Sequence, residues 1–272
     1  MMRSWPLYVG GILVGLVALL GAVSLFWQPF DPLHVEPAQR LLGPGWPHLL
    51  GTDWLGRDVF SRALVGARVC VQVGVIAVAI GALIGVPVGM AAAASRGLGG
   101  SILMRGADIV FAFPALLLAI LLAAARGGGS ILTAMTAIGI ASVPAFARIA
   151  RGAALQVLSQ DYVLAARASG TPPLRTALTH VLPNIAPVVM VQASVSFGLA
   201  ILAEASLSYL GLSTPPTTPT WGRMLFDAQQ YVFSNPSLVV WPGLFIAAAV
   251  LGFNLLGDGL RDRFDPTLRE VR

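Results

Sequence analysis

Long apolar runs alternate along the chain with shorter stretches that collect the glycines, prolines and charges. A helix rises 1.5 Å per residue, so about 20 apolar residues cross a hydrocarbon core of about 30 Å. Six windows approach that length: Leu7 to Trp27, Val69 to Ala94, Ile109 to Ala125, Ile131 to Ala147, Ile185 to Ala203 and Leu238 to Leu256. The second carries no charge and is interrupted only by Gln72, glycines and Pro87. The third and fourth are the shortest and borrow residues from their flanks. Arg3 ahead of the first window suggests a signal peptide, but its apolar stretch is longer than a signal core and no small-residue cleavage site follows, so it reads as a retained helix. The pattern predicts an all-α membrane protein with six transmembrane helices.

Three stretches between the spans are long enough to carry function: Gln28 to Arg68, Arg148 to Asn184 and Gly211 to Ser237. The tail from Arg261 to Arg272 is too short for a domain. An even number of spans puts both termini on one side, and arginine marks the cytoplasmic face. With the termini inside, eleven arginines (Arg3, Arg96, Arg105, Arg148, Arg151, Arg167, Arg175, Arg261, Arg263, Arg269, Arg272) lie inside and six (Arg40, Arg57, Arg62, Arg68, Arg126, Arg223) outside. Both termini are therefore expected in the cytoplasm, with 28–68 and 211–237 outside and 148–184 inside. The chain divides into an N-terminal membrane helix with its outer segment, 1–68, and a five-helix core, 69–272.

Composition narrows the class. Charged residues make up 11% of the chain, against about 25% in soluble proteins, which excludes a disordered chain and argues against a water-soluble enzyme. All 17 basic residues are arginine. They are scattered with no dense run, so the net charge of +5 does not point to nucleic acid. The single cysteine, Cys70, has neither a disulfide partner nor metal-site spacing and reads as a small apolar side chain.

The inner loop reads SQDYVLAARASGTPPLRTALTHVLPN. Asp161 suits a helix start, where a carboxylate complements exposed amides. Tyr162, Ala165, Ala166 and Ser169 follow at helical spacing, and Gly170 supplies a left-handed stop. Pro172 and Pro173 end that helix and open a second, on which Leu174, Leu178 and Val181 share a face. Pro183 marks the junction with the fifth span. Small and apolar residues on the wet side of a membrane protein suit either a partner surface or a pair of interfacial helices packed on their own bundle.

This loop resembles the signature of ATP-binding-cassette importer permeases, written EAA, three residues, G, nine residues, then I, any residue, L and P. Leu164, Ala165 and Ala166 take the EAA positions, Gly170 the glycine, His180 the isoleucine, and Leu182 and Pro183 the ending. The spacing matches in full. Leu164 replaces the glutamate, so a carboxylate's polar contact is lost while the alanine and glycine geometry remains. HLLGTDWLGRDVFSRALVGAR, SYLGLSTPPTTPTWGRMLFDAQQY and NLLGDGLRDRFDP resemble segments of the C-type permeases of the dipeptide, oligopeptide and nickel group. The resemblance implies a type I importer permease fold in the bacterial inner membrane, with a coupling helix that docks into a separate ATPase subunit. It also implies a second, homologous permease chain, one or two ATPase chains and an extracytoplasmic substrate-binding protein. ATP and magnesium would belong to the ATPase chains, since this chain has no GxxxxGK[ST] loop and is expected to hold no cofactor, metal or catalytic residue.

Other motifs carry local expectations. Thr52 or Asp53 suits a helix cap, and Asp58 and Arg62, four apart, suit a surface pair. Arg57, Arg62 and Arg68 are expected at the outer face, as scaffold and lipid anchors or facing an acidic binding protein. Asp108 and Asp258 are expected to pair locally with Arg105, Arg261 and Arg263. Trp5, Trp27 and Trp241 fit interfacial anchors; Trp221 lies in a loop, packed there or facing a partner. Glu204, near the outer end of the fifth span, either lines the outer gate or the path or is a solvated or arginine-paired rim residue. Glycine and alanine through spans two to five allow close helix approach.

The leading expectation is half of the membrane path of an ATP-driven importer of dipeptides or short oligopeptides. Nickel, haem and glutathione are alternative cargoes, and the few, separated histidines tilt the reading toward peptides. A self-sufficient channel or secondary transporter is a second class, disfavoured by the scarcity of mid-membrane polar groups. An intramembrane enzyme is a third, disfavoured because His34, His48 and His180 all lie outside the spans and no HExxH or paired-aspartate motif occurs.

Overall fold

Apolar side chains cover α1 (Trp5–Val23) on every face and only Gly10, Val17 and Gly21 are buried, the pattern of a helix that meets lipid on most sides. The structure, a computed structural model, describes residues 5–95, 97–125, 130–213, 215 and 217–264. Arg3, Arg96, Arg126, Arg269 and Arg272 of the arginine count lie outside the described residues. The other helices are α2 (Val59–Ala94), α3 (Gly99–Phe111), α4 (Ala115–Ala125), α5 (Ile131–Leu158), α6 (Asp161–Ala168), α7 (Pro173–Thr176), α8 (Leu182–Tyr209), α9 (Trp221–Ala228) and α10 (Ser237–Phe264).

Five uninterrupted helical stretches among the described residues are long and apolar enough to cross a membrane, and α3 with α4 forms a sixth that is bent by 79°. The third expected span, Ile109 to Ala125, is thus not one straight helix. Pro114 lacks an amide proton and disfavours helical geometry at Phe113, so α3 stops at Phe111 and α4 restarts on the far side of the bend.

Other boundaries also move. The second helix begins at Val59 rather than Val69, because Asp58 caps it by accepting from the Ser61 amide at 2.7 Å; neither Thr52 nor Asp53 is the cap. The fourth span continues to Leu158, so the first part of the expected inner loop is helix. Pro183 stands at the junction with the fifth span as expected, and the joint is continuous: a π turn over Ala177–Val181, in which the Leu182 amide reaches back to the Ala177 carbonyl, joins α7 to α8 in one helical run, Pro173–Tyr209. Such a wider turn relieves the carbonyl crowding that a proline imposes on the preceding turn.

The axis of the bundle is the α2–α5 pair. Gly81, Gly85 and Gly89 stand four apart on α2; a Cβ on Gly85 would lie 2.6 Å from the Val143 carbonyl oxygen and one on Gly89 2.3 Å from that of Ala147. The helices touch backbone to backbone there. Alongside, α8 packs on α2, α5 and α10, and α1 packs on α10. Three apolar clusters follow one another along α2: one around Ala63, Phe197 and Trp221, one around Val73, Ile138 and Ala200, and one around Val86, Phe146 and Ile185. The segments 24–58 and 217–236 cap one end of the bundle, and α6 and α7 sit at the other.

Candidate functional site

At the α6 end, the eight residues of α6 are held by Val163, which is fully buried, while Leu164 and Ala165 are exposed and Ala166 is half-buried. Gly170 has φ +82°, and two amides close the helix: Gly170 donates to the Arg167 carbonyl and Thr171 to the Ala166 carbonyl, at 3.0 and 3.1 Å. That pair of bonds is a Schellman motif, which needs the left-handed residue that glycine adopts without cost. The Tyr162 ring meets the half-buried His180 ring edge-on, centroids 6.0 Å apart, so the two halves of the signature touch across the loop. Leu182 and Pro183 open α8 on its exposed side. Beside them lies a recess of about 560 Å³ lined by Gln156, Val157, Gln160, Tyr162 and Asn184. The seven signature residues therefore share one end of the molecule, with Leu164, Leu174 and Leu178 presenting apolar surface that none of the described residues covers.

Glu204 is 4% exposed inside α8 and accepts from the Ser208 hydroxyl at 2.5 Å. The next residue, Ala205, lies so close to Gly222 of α9 that a Cβ there would fall 2.2 Å from the Ala205 carbonyl oxygen. Glu204 is thus neither a solvated rim residue nor arginine-paired.

The opposite end contains a buried charge network that local sequence reasoning missed. Asp53 pairs with Arg57 at 2.7 Å and with Arg62 at 3.6 Å, and Asp227 of α9 pairs with Arg57, Arg62 and Arg223 at 3.2, 3.4 and 3.1 Å. Arg57 and Arg62 are therefore buried ligands of two carboxylates rather than headgroup anchors, and the expected Asp58–Arg62 pair does not form. Asp58 instead faces His48, which bridges the Asp58 carboxylate at 2.9 Å and Gln39 at 2.7 Å. The buried Trp221 indole donates to the Ala63 carbonyl at 3.0 Å, pinning α9 to α2. Trp241 packs against the apolar core at this end rather than standing free, while Trp5 and Trp27 are exposed as expected of anchors. Asp108 pairs with Arg148 of α5 at 2.8 Å, not with Arg105. Among the described residues no group of three metal-ligating side chains converges.

Residues 85–270 match the family described as the binding-protein-dependent transport system inner membrane component. The chain is 40% identical over 263 residues to a glutathione transport system permease protein of Pectobacterium atrosepticum, covering 95% of this chain and 87% of that one. It is 41% identical over 270 residues to a di/tripeptide transport system permease protein of Pseudomonas aeruginosa, covering 97% and 89%. Its fold is similar to a chain of the inward-facing MetNI methionine ABC transporter, with a TM-score of 0.62, 16% identity, and 78% and 96% of the two chains covered. With several membrane-crossing helices in a type I importer permease fold, the chain belongs to the family of inner-membrane permease components of binding-protein-dependent transport systems.

Proposed function

We propose that this permease forms one half of the path through which an ATP-driven importer takes up dipeptides or short oligopeptides, the tripeptide glutathione being within that class. The relatives named for di- and tripeptides and for glutathione, at about 40% identity over nearly the whole chain, support the substrate class. ATP hydrolysis belongs to one or two separate ATPase chains, the second half of the path to a homologous permease, and substrate delivery to an extracytoplasmic binding protein. In this reading the α6 end is cytoplasmic, both termini lie on that side, and the domain division stays at residues 68 and 69.

One observation carries the coupling role: α6 is anchored by a single buried residue and closed by a left-handed glycine, yet turns Leu164 and Ala165 outward, next to the exposed Leu174 of α7. A contiguous apolar patch on a wet surface is a partner's footprint. Leu164, Ala165, Ala166 and Gly170 form the docking helix and its stop, while His180, Leu182 and Pro183 connect it to α8. Glu204, beneath α9, belongs to the outer gate in this scheme, coming to the path when α8 and α9 part. If Glu204→Gln leaves the rate and substrate preference of the complex unchanged, that gate role is lost.

The test is co-expression with a homologous permease, ATPase chains and a binding protein from the same genome. The intact complex should copurify through this chain and hydrolyse ATP faster when loaded binding protein is added. Peptide uptake by this chain alone, without nucleotide, overturns the scheme.

A further inference from the structure

Among the described residues the Asp108–Arg148 pair is unlike the other short ion pairs in being uncovered: its side chains are 41% and 57% exposed, Arg148 and Asp108 respectively. Asp108 lies in the last turn of α3, but Arg148 is not at a helix end. Gly89 of α2 lies against Ala147 and the Arg151 amide, and α2 runs on to Ala94, so at 1.5 Å per residue Arg148 sits about 8 Å inside the α6-side end of α2. The Arg148 guanidinium lies 4.2 Å from the centre of the Phe111 ring, at the bend where α3 gives way to α4. A charged side chain is expensive in hydrocarbon, so an uncovered pair is better placed against water than against lipid.

The surface leading away from the pair is polar and open. Arg148, Gly152 and Gln156 stand four apart on α5 and all are exposed, and nothing lies within 4 Å of a Cβ added at Gly152. Gln156 then borders the recess shared with Gln160 and Asn184. An exposed stripe thus runs from the α3–α4 bend to the α6 end.

We propose that this stripe is the cytoplasmic leg of the substrate path and that Arg148 receives the terminal carboxylate of the passing peptide, Asp108 holding the guanidinium when no peptide is present. A guanidinium binds carboxylates in a fixed two-pronged geometry, so Asp108 and a peptide terminus compete for one site. The inference rests on the peptide-importer reading, and wild-type complex that moves no peptide would sink that reading before this one is reached.

Two measurements on the assembled complex in membrane vesicles test it. Cys70 is the chain's sole cysteine, so Gly152→Cys in a Cys70→Ala background places one thiol on the stripe, where space is open. A charged, membrane-impermeant thiol reagent supplied from the α6 side should label it, and substrate peptide should slow the labelling. Absence of labelling means lipid or the second permease covers this face and overturns the proposal. In transport, Arg148→Gln should lower kcat for a free dipeptide about tenfold or more, the loss of one charged hydrogen-bonded contact, with KM little changed because the binding protein sets it. Asp108→Asn breaks the same pair but keeps the guanidinium, and should lose markedly less. The exchanged pair Asp108→Arg with Arg148→Asp should remain slow. Equal losses from the two single variants, or rescue by the exchange, mean the pair is scaffold only and overturn the proposal.

Discussion

Arg62 has a side chain only 2% exposed, yet it sits where its sequence neighbourhood suggests a surface charge. What holds it is Asp227, 165 residues further along the chain. Two carboxylates against three guanidiniums leave one net positive charge in a nearly dry site, so removing either carboxylate isolates charge that water cannot reach. Breaking a buried pair in this way costs about 3 to 5 kcal/mol. Asp227→Asn should therefore loosen the contact between the 24–58 segment and α9, with earlier thermal unfolding and faster proteolysis within 24–58 as the readouts. Asp31→Asn, a change at an exposed loop residue, should do neither. Two of the network's pairs, Asp53–Arg57 and Arg223–Asp227, do stand four apart, but the long-range pairs from Asp227 to Arg57 and Arg62 have no spacing signal, and the Asp58–Arg62 spacing is satisfied elsewhere: Asp58 turns to the Ser61 amide and His48. Local reasoning found the right residue types and the wrong partners.

Elements were legible where a local signal decides them. Gly170 ends α6 with positive φ as its position predicts, and the apolar windows mark every membrane-crossing helix. Proline acts in context: Pro114 divides an expected span, whereas Pro183, at the expected junction, is absorbed by a π turn. Glycine content suggested close helix approach without saying which helices meet; the α2–α5 register appears only in three dimensions. Gly85→Leu should be severe, since its new atoms would enter the Val143 carbonyl and Phe146. Overpacking of this kind costs about 1 to 3 kcal/mol or more, read as lower yield and earlier unfolding in detergent. Gly152→Leu on the uncovered side of α5 should leave both measures near wild type, since it meets open space. Gly170→Val acts differently. No atom lies within 4 Å of its added Cβ, so the damage is confined to the left-handed backbone, which a β-branched residue resists by about 1 to 3 kcal/mol. That variant should insert and fold, yet recruit less ATPase in copurification; full recruitment and transport would count against the docking geometry.

Across the whole molecule, the α6 loop and the capped end are joined by one helical run, Pro173–Tyr209, which carries His180, Leu182 and Pro183 near one end and Glu204 near the other. A continuous helix transmits displacement along its axis because every turn is hydrogen-bonded to the next, whereas a flexible joint dissipates it. The capped end is tied by buried ion pairs and the Trp221 bond to α2, so in the proposed scheme movement of α6 would be expressed where α8 meets α9 rather than lost in the outer segments. Docking and transmission therefore separate by mutation. Leu182→Gly with Asn184→Gly introduces two flexible residues just beyond the π turn, at about 1 kcal/mol each relative to alanine, without altering Leu164, Ala165 or the Gly170 stop. The double variant should copurify with its ATPase at wild-type yield and hydrolyse ATP, but that hydrolysis should no longer rise with loaded binding protein and peptide uptake should fall about tenfold or more, the effect of about 1.4 kcal/mol in coupling. Uptake and stimulation that both survive would mean the conformational signal crosses the membrane through α5 instead, the other long helix that leads from the α6 loop into the bundle.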